Sequence, residues 1–275
     1  MNTPNIKDSA DAVRGIAEAI PIYDDLLKPA VQVVGKGLQT VAKTINIALA
    51  PISMLVWGYE KIQEYILPAL EERLKNKPHD SIITPDPTIA GPALEALRFA
   101  GHKEDLRELY ANLLASSMDS STAVNAHPSF VEILKQLSPD EAKILKLFSS
   151  KANYPLIDVK AKRPTGGYNT YLRNFTLLAD TANCSYPNLS CSYIENLARL
   201  GLAEIKNGEH LVNDDLYEPL RKHPIIITLV DFIKNAANQE VDYGKGIYVV
   251  TSLGYQFYNA CISDKRMETV VQNKT

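Results

Sequence analysis

The residues best placed to do chemistry lie between Lys151 and Arg173. Five cations (Lys151, Lys160, Lys162, Arg163, Arg173) stand there against one acid, Asp158, with Tyr154, Tyr168 and Tyr171 interleaved. Thr165-Gly166-Gly167 marks an exposed loop inside the stretch. Ammonium and guanidinium groups can track a phosphate backbone while tyrosine rings stack on bases. A plain solvated loop has the same composition. Lys160, Lys162, Arg163, Tyr168, Tyr171 and Arg173 are therefore the candidate contacts for a partner protein or for nucleic acid, the latter less favoured.

Other chemistry finds no foothold. The chain has no Gly-rich phosphate loop, no H-E-x-x-H and no G-x-S-x-G. Its five histidines (His79, His102, His127, His210, His223) show no ligand spacing, and the acid pairs Asp24-Asp25 and Asp214-Asp215 read as solvated turn residues. Cys184, Cys191 and Cys261 are odd in number and match no zinc-knuckle spacing, so they read as small thiols in a reducing cytosol. No catalytic residue, cofactor or metal ligand is expected.

The elements that position these residues follow from periodicity. Pro29 to Tyr59 holds 31 residues and only two charges, Lys36 and Lys43. A helical stripe runs through Val31, Val34, Leu38, Val41, Ile45, Ala48, Ile52, Leu55, Tyr59, Ile62 and Ile66, a surface through which copies of the chain could assemble over 31–66. From Ile45 to Trp57 the other faces are apolar too. Ile45, Ile47, Leu49, Ile52, Met54, Leu55, Val56 and Trp57 thus form a candidate bundle or membrane segment. The uncharged run Thr44–Tyr59 makes about 24 Å of helix, short of the roughly 30 Å hydrocarbon core. Pro51 interrupts it. A bundle helix is the default, conditional membrane contact the alternative, and a permanent span is not expected. Glu71, Glu72, Arg73, Lys75 and Lys77 read as a solvated charged turn ending this segment.

Prolines 78, 85, 87 and 92 then impose loops or short turns. Helices are expected over Ala93–Ala100, closed by Gly101, then over Lys103–Met118 and Ser129–Leu137. Ser138-Pro-Asp-Glu141 is a capping box opening another. Beyond it the sequence predicts strands at Leu156–Val159, Leu202–Ile205, Leu211–Val212 and Ile247–Val250. Helices are predicted near Tyr171–Ala182, Tyr193–Leu200, Pro219–Asn235 and Ser252–Ile262. Helix, strand, helix, helix, strand, turn, strand is the order of a winged helix. Its recognition helix, Leu189–Gly201, carries one arginine, Arg199, and one acid, Glu195, and the wing Lys206–His210 is nearly neutral. Readers of base edges need several cationic or amide side chains on one face, so the module reads as a protein-binding scaffold.

The expected fold is mainly α, an N-terminal helical bundle followed by a winged-helix-like α+β domain with short strands. Residues 1–22 form a polar tail, 23–77 the apolar helical segment and 78–137 the block completing the bundle. Residues 138–263 form the winged-helix-like domain, with a helical insertion about 219–238, and 264–275 a tail. Net charge of −3, pI near 6.0 and 22% charged residues suit a folded soluble protein with no global pull toward nucleic acid or anionic lipid. Residues 1–18 lack the basic and apolar regions of a secretory signal, which points to the cytoplasm, with any inner-membrane contact peripheral.

Four blocks carry a family resemblance: Glu104–Asp119, His127–Leu145, Asn196-Leu-Ala-Arg-Leu-Gly-Leu202 and Val250-Thr-Ser-Leu-Gly-Tyr-Gln-Phe257. In order and spacing they resemble the Abi-alpha family of bacterial abortive-infection proteins over about Ala90–Ile262. The resemblance implies phage defence through growth arrest or death of infected cells, with a phage-derived trigger or a protein partner. It implies no catalytic residue.

Overall fold

A computed structural model describes residues 56–149, 153–235 and 239–263. The apolar positions Ile45, Ile47, Leu49, Ile52, Met54 and Leu55, the rest of the 31–55 stripe and Lys151 lie outside the described residues, whereas Val56 and Trp57 lie inside.

Helices form where apolar residues recur every three or four positions. α1, Tyr59–Leu74, buries Ile62, Ile66, Ala69 and Leu74. α2, Pro87–Ala100, starts several residues before the expected Ala93. The Asp86 carboxylate accepts from Thr88 N at 2.8 Å and Pro87 is preorganised for the first turn. That start outweighs Pro92, which costs the helix one backbone donor. α3, Glu104–Met118, is the central helix, with Leu106 and every residue from Leu109 to Ser117 buried. α4 (Ser129–Lys135) and α5 (Pro139–Leu145) pack beside it. The capping box of α5 forms as expected: Ser138 N donates to Glu141 Oε2 at 2.6 Å, and Glu141 N to Ser138 Oγ at 3.3 Å.

Then comes a sheet. β1 (Asn153–Lys162) and β2 (Tyr168–Phe175) form a hairpin turned by Gly166 and Gly167 at φ +86° and +78°. From Asn153 to Arg173 the basic stretch is thus two strands and a tight tip rather than a loop. The helix expected over Tyr171–Ala182 is also corrected. Only α6, Leu178–Thr181, is helical. Ile157 pairs with Phe175 and Val159 with Leu172, so two steps on β1 match three on β2. This bulge puts residues three apart on one face, a spacing that mimics a helix.

α7, Ser190–Arg199, ends at Gly201 with φ +76° and leads into β3, Ala203–Asn207. β3 pairs with β4, Val241–Val250. Leu211 and Val212 are not in a strand, contrary to expectation, because Gly208 at φ +93° turns the chain outward. Two helices intervene instead, α8 (Glu218–Arg221) and α9 (Pro224–Asn235), divided before Pro224. α10, Ser252–Phe257, is capped by Thr251 and runs into a π-helical turn, Tyr258–Ile262. The sheet is antiparallel with order β2-β1-β4-β3.

Among the described residues two apolar cores result. The first runs unbroken from Trp57 through Leu113, Phe130, Ile144 and Ile194 to Tyr248 and Phe257. The second lies on the opposite side of β1, where Ile157, Val159 and Ala161 meet Tyr217, Leu220, Ile226 and Ile233. Among the described residues no helix is long and apolar enough to cross a membrane.

Candidate functional site

The hairpin gathers some of the predicted contacts and separates others. Lys160 and Lys162 alternate onto one face of β1, and Tyr168 sits opposite Lys162. Tyr171 turns the other way: its ring meets Phe232 of α9 edge-on at 6.5 Å and its hydroxyl donates to Gln239 Oε1 at 3.2 Å. Arg163 lies at the tip against Gly167, and Arg173 is exposed on β2.

Pairing with β4 changes the electrostatics. Lys160 stands in register with Asp242 and reaches Asp158 Oδ2 at 3.5 Å, while Lys162 Nζ lies 3.7 Å from Glu240 Oε2. Gly244 makes room for Lys160, since a Cβ there would stand 2.5 Å from its Nζ. Asp158 on β1, with Glu240 and Asp242 some eighty residues downstream, therefore offsets the lysines of a stretch that reads as strongly basic locally.

α7, the expected recognition helix, ties its polar groups to neighbouring elements, with Tyr193 buried and Glu195 and Arg199 exposed. Glu195 accepts from Asn174 Nδ2 at 2.9 Å and Asn196 donates to Glu141 Oε1 at 2.7 Å. Arg199 reaches Gln136 Oε1 at 3.0 Å, and the Tyr193 hydroxyl donates to Asp140 Oδ2 at 3.0 Å. Asp140, 4% exposed, also accepts from Ser185 N, Tyr186 N and Lys143 Nζ. Burial pushes this carboxyl up, but those four donors outweigh it and hold it at about 2. Burial pushes the nearby Cys184 thiol up to about 11, with the Asp140 charge adding, and burial likewise raises Cys191 to about 11.

A third cluster marks where the apolar N-terminal segment enters. Trp57 is 6% exposed; its backbone N–H donates to Arg98 O at 2.7 Å and its ring lies over Gly101. Tyr65 packs edge-on against that ring, and its hydroxyl donates to Glu108 Oε1 at 2.8 Å. Burial, then the Glu108 hydrogen bond, raise Tyr65 well above the usual phenol range. Arg73 donates to Glu108, to Asn112 Oδ1 at 2.6 Å and to Ala69 O at 2.8 Å. Asn112 Nδ2 in turn donates to Cys261 O at 2.9 Å, and Ser116 Oγ to Ala260 O at 2.8 Å. This ladder ties α1, α3 and the closing π turn together. Arg73 is therefore no solvated turn residue. The signal was its place on the stripe of Ile62, Ile66 and Ala69, four residues after the last.

Among the described residues no group of His, Cys, Asp or Glu is arranged to hold a metal ion. The abortive infection alpha family matches residues 59–261, well over half of the chain. The chain belongs to the abortive infection alpha family. The match opens at the first residue of α1 and closes inside the π turn, so it takes in the second core of this abortive infection alpha protein and every buried residue of the first but Trp57. The resemblance blocks Glu104–Asp119 and His127–Leu145 fall on α3 and on α4–α5, where they supply packing and caps. A solved structure described as that of an uncharacterized protein from the hydrocarbon-degrading marine bacterium Alcanivorax borkumensis SK2 is similar at 15% identity and a TM-score of 0.33. The likeness covers 51% of this chain and 94% of that one. A comparison with curated proteins finds no match.

Proposed function

We propose that this abortive infection alpha protein is a non-enzymatic phage-defence effector. Its α/β module recognises a protein partner or phage-derived signal, and its apolar segment Ile45–Trp57 acts on the membrane once infection releases it. The observation carrying the reading is the family match across 59–261. A winged-helix module is supported by the order α5, β1, α6, α7, β3, β4 and by the central strand order β1-β4-β3, with β2 added at the edge. Recognition of protein rather than DNA is supported by α7, whose Tyr193, Glu195, Asn196 and Arg199 side chains are hydrogen-bonded to neighbouring elements of the fold. Storage of the apolar segment is supported at its downstream end, where Trp57 is buried against α2.

The test follows membrane potential with a voltage-sensitive dye in phage-infected cells expressing the protein. Collapse of the potential together with growth arrest and reduced phage yield is expected. Arrest with an intact potential would overturn the membrane step, and an unreduced phage yield would overturn defence.

A further inference from the structure

A groove of about 330 Å³ runs between the end of α2, the start of α3 and the end of α4. Its lining is mostly apolar: Ala96, Phe99 and Ala100 from α2, Leu106 from α3, Leu134 from α4 and Leu137 just beyond it. Ala96, Leu106 and Leu134 are buried, whereas the Phe99 ring is 58% exposed. Glu95, Lys103, Tyr110 and Lys135 complete the lining. Small-molecule sites have this make-up, an apolar cleft of roughly 300–1,000 Å³ with a few polar groups that fix orientation.

Two of those polar groups lack a counterpart. Glu95 is paired with Arg98 at 3.1 Å, and Lys135 with Glu132 at 2.7 Å. Lys103 is exposed and has no ion-pair partner among the described residues. Tyr110 is fully buried, and its hydroxyl has no hydrogen-bond partner. Burial, then the Glu132 and Cys261 charges, raise this phenol well above its usual range, so the hydroxyl keeps its proton and needs an acceptor. Lys103, Leu106 and Tyr110 follow one another at steps of three and four, which places the ammonium and the phenol along one wall.

We infer that the α2–α3–α4 groove binds a small apolar carboxylate, its chain on Phe99, Ala100 and Leu134 and its head accepting from Lys103 Nζ and Tyr110 Oη. One unpaired cation calls for a singly charged head rather than a phosphate dianion. At about 30 Å³ for each water-sized group the space takes about eleven such groups, close to the size of decanoate. The site goes beyond the partner and membrane readings above and stands whether or not the apolar N-terminal segment acts on a membrane.

Calorimetric titration of the full chain with decanoate, kept below its micelle concentration, tests the site. One saturable site per chain is expected. Octanoate should bind about tenfold more weakly, because two fewer methylenes are buried. Lys103→Ala changes an exposed side chain and Tyr110→Phe removes only an unpartnered hydroxyl, so both should fold, as circular dichroism would show. Each should weaken decanoate about tenfold. Decanol, with no charge, should bind the unsubstituted protein more weakly than decanoate and should not distinguish it from Lys103→Ala. Absence of saturable decanoate binding overturns the site, as does binding that neither substitution weakens. Equal affinity for decanol and decanoate in the unsubstituted protein overturns the carboxylate assignment.

Discussion

Arg73 Nη2 meets Glu108 Oε2 at 2.6 Å, joining the last turn of α1 to α3. The arginine is 3% exposed and also holds Asn112 and the Ala69 carbonyl. Arg73→Ala leaves Glu108 and Asn112 short of donors inside the protein. Removing one partner of a fully buried pair costs about 3–5 kcal/mol, and the Glu108 side chain is 35% exposed. A loss of about 2–3 kcal/mol is expected from urea unfolding, with the midpoint lowered. Arg73→Lys should recover only part, because one ammonium cannot serve a carboxylate, an amide and a carbonyl in that fork geometry. Hydrogen exchange in α1 should rise in both variants.

Asp140 makes the fold sensitive to acid. Its carboxyl sits at about 2 in the folded protein, below the ordinary 3.8. A depressed folded value means the contribution is complete above about pH 4 and fades as pH falls through about 2. Stability should therefore drop across that window. Asp140→Asn should flatten this drop and lower stability at pH 7 by about 2 kcal/mol, since an amide accepts fewer of the four hydrogen bonds. Unfolding midpoints at several pH values, compared between the two proteins, check the slope. An unchanged acid slope would show that other carboxylates govern it.

The sequence announced elements whose signals are local and hid those set by distant partners. Ser138 and Glu141 cap each other three residues apart, and Gly201 ends its helix, so both were legible. β2 was not, because its bulge places Leu172 and Phe175 on one face at helical spacing. Nor was the partner of β3, since the Asn207-Gly208 turn looked like a hairpin to Leu211 while the pairing strand starts at Val241. In the candidate site, the identity of the basic side chains was readable. Their neutralisation was not, because Glu240 and Asp242 arrive only through the β1–β4 register. Arg73 was misread for the converse reason: charge alone suggested solvent, whereas helical phase put it inside.

Two glycines should respond differently to an added methyl. At Gly254, buried at the start of α10, a Cβ would run directly into the backbone carbonyl of Leu202. Nothing there can rotate away, so Gly254→Ala should cost about 3 kcal/mol, the upper end for overpacking. At Gly244 the Cβ would meet the Lys160 ammonium, the far end of a flexible side chain. Gly244→Ala should cost under about 1 kcal/mol while displacing Lys160 from Asp158. Thermal unfolding of both variants checks the contrast. Equal costs would mean that Lys160 is held more firmly than its half-exposed position suggests.

The hairpin offers the last contrast, between local charge and charge in the fold. If it tracked a phosphate backbone, each phosphate contact would release counterions, and affinity would fall steeply with salt. Instead Lys160 has Asp158 and Asp242 beside it, and Lys162 has Glu240. A phosphate approaching that face meets carboxylates as well as ammonium groups, and Tyr171 is turned against Phe232 rather than toward Tyr168. Anisotropy titration with short single- and double-stranded DNA at about 50 mM salt should accordingly show no saturable binding. Glu240→Gln with Asp242→Asn removes two carboxylates from the face and should create weak, salt-sensitive binding. Lys160→Ala with Lys162→Ala should leave phage protection unchanged. Saturable DNA binding by the unmodified protein, lost in the double lysine variant together with protection, would reverse this reading and make the hairpin a nucleic-acid contact.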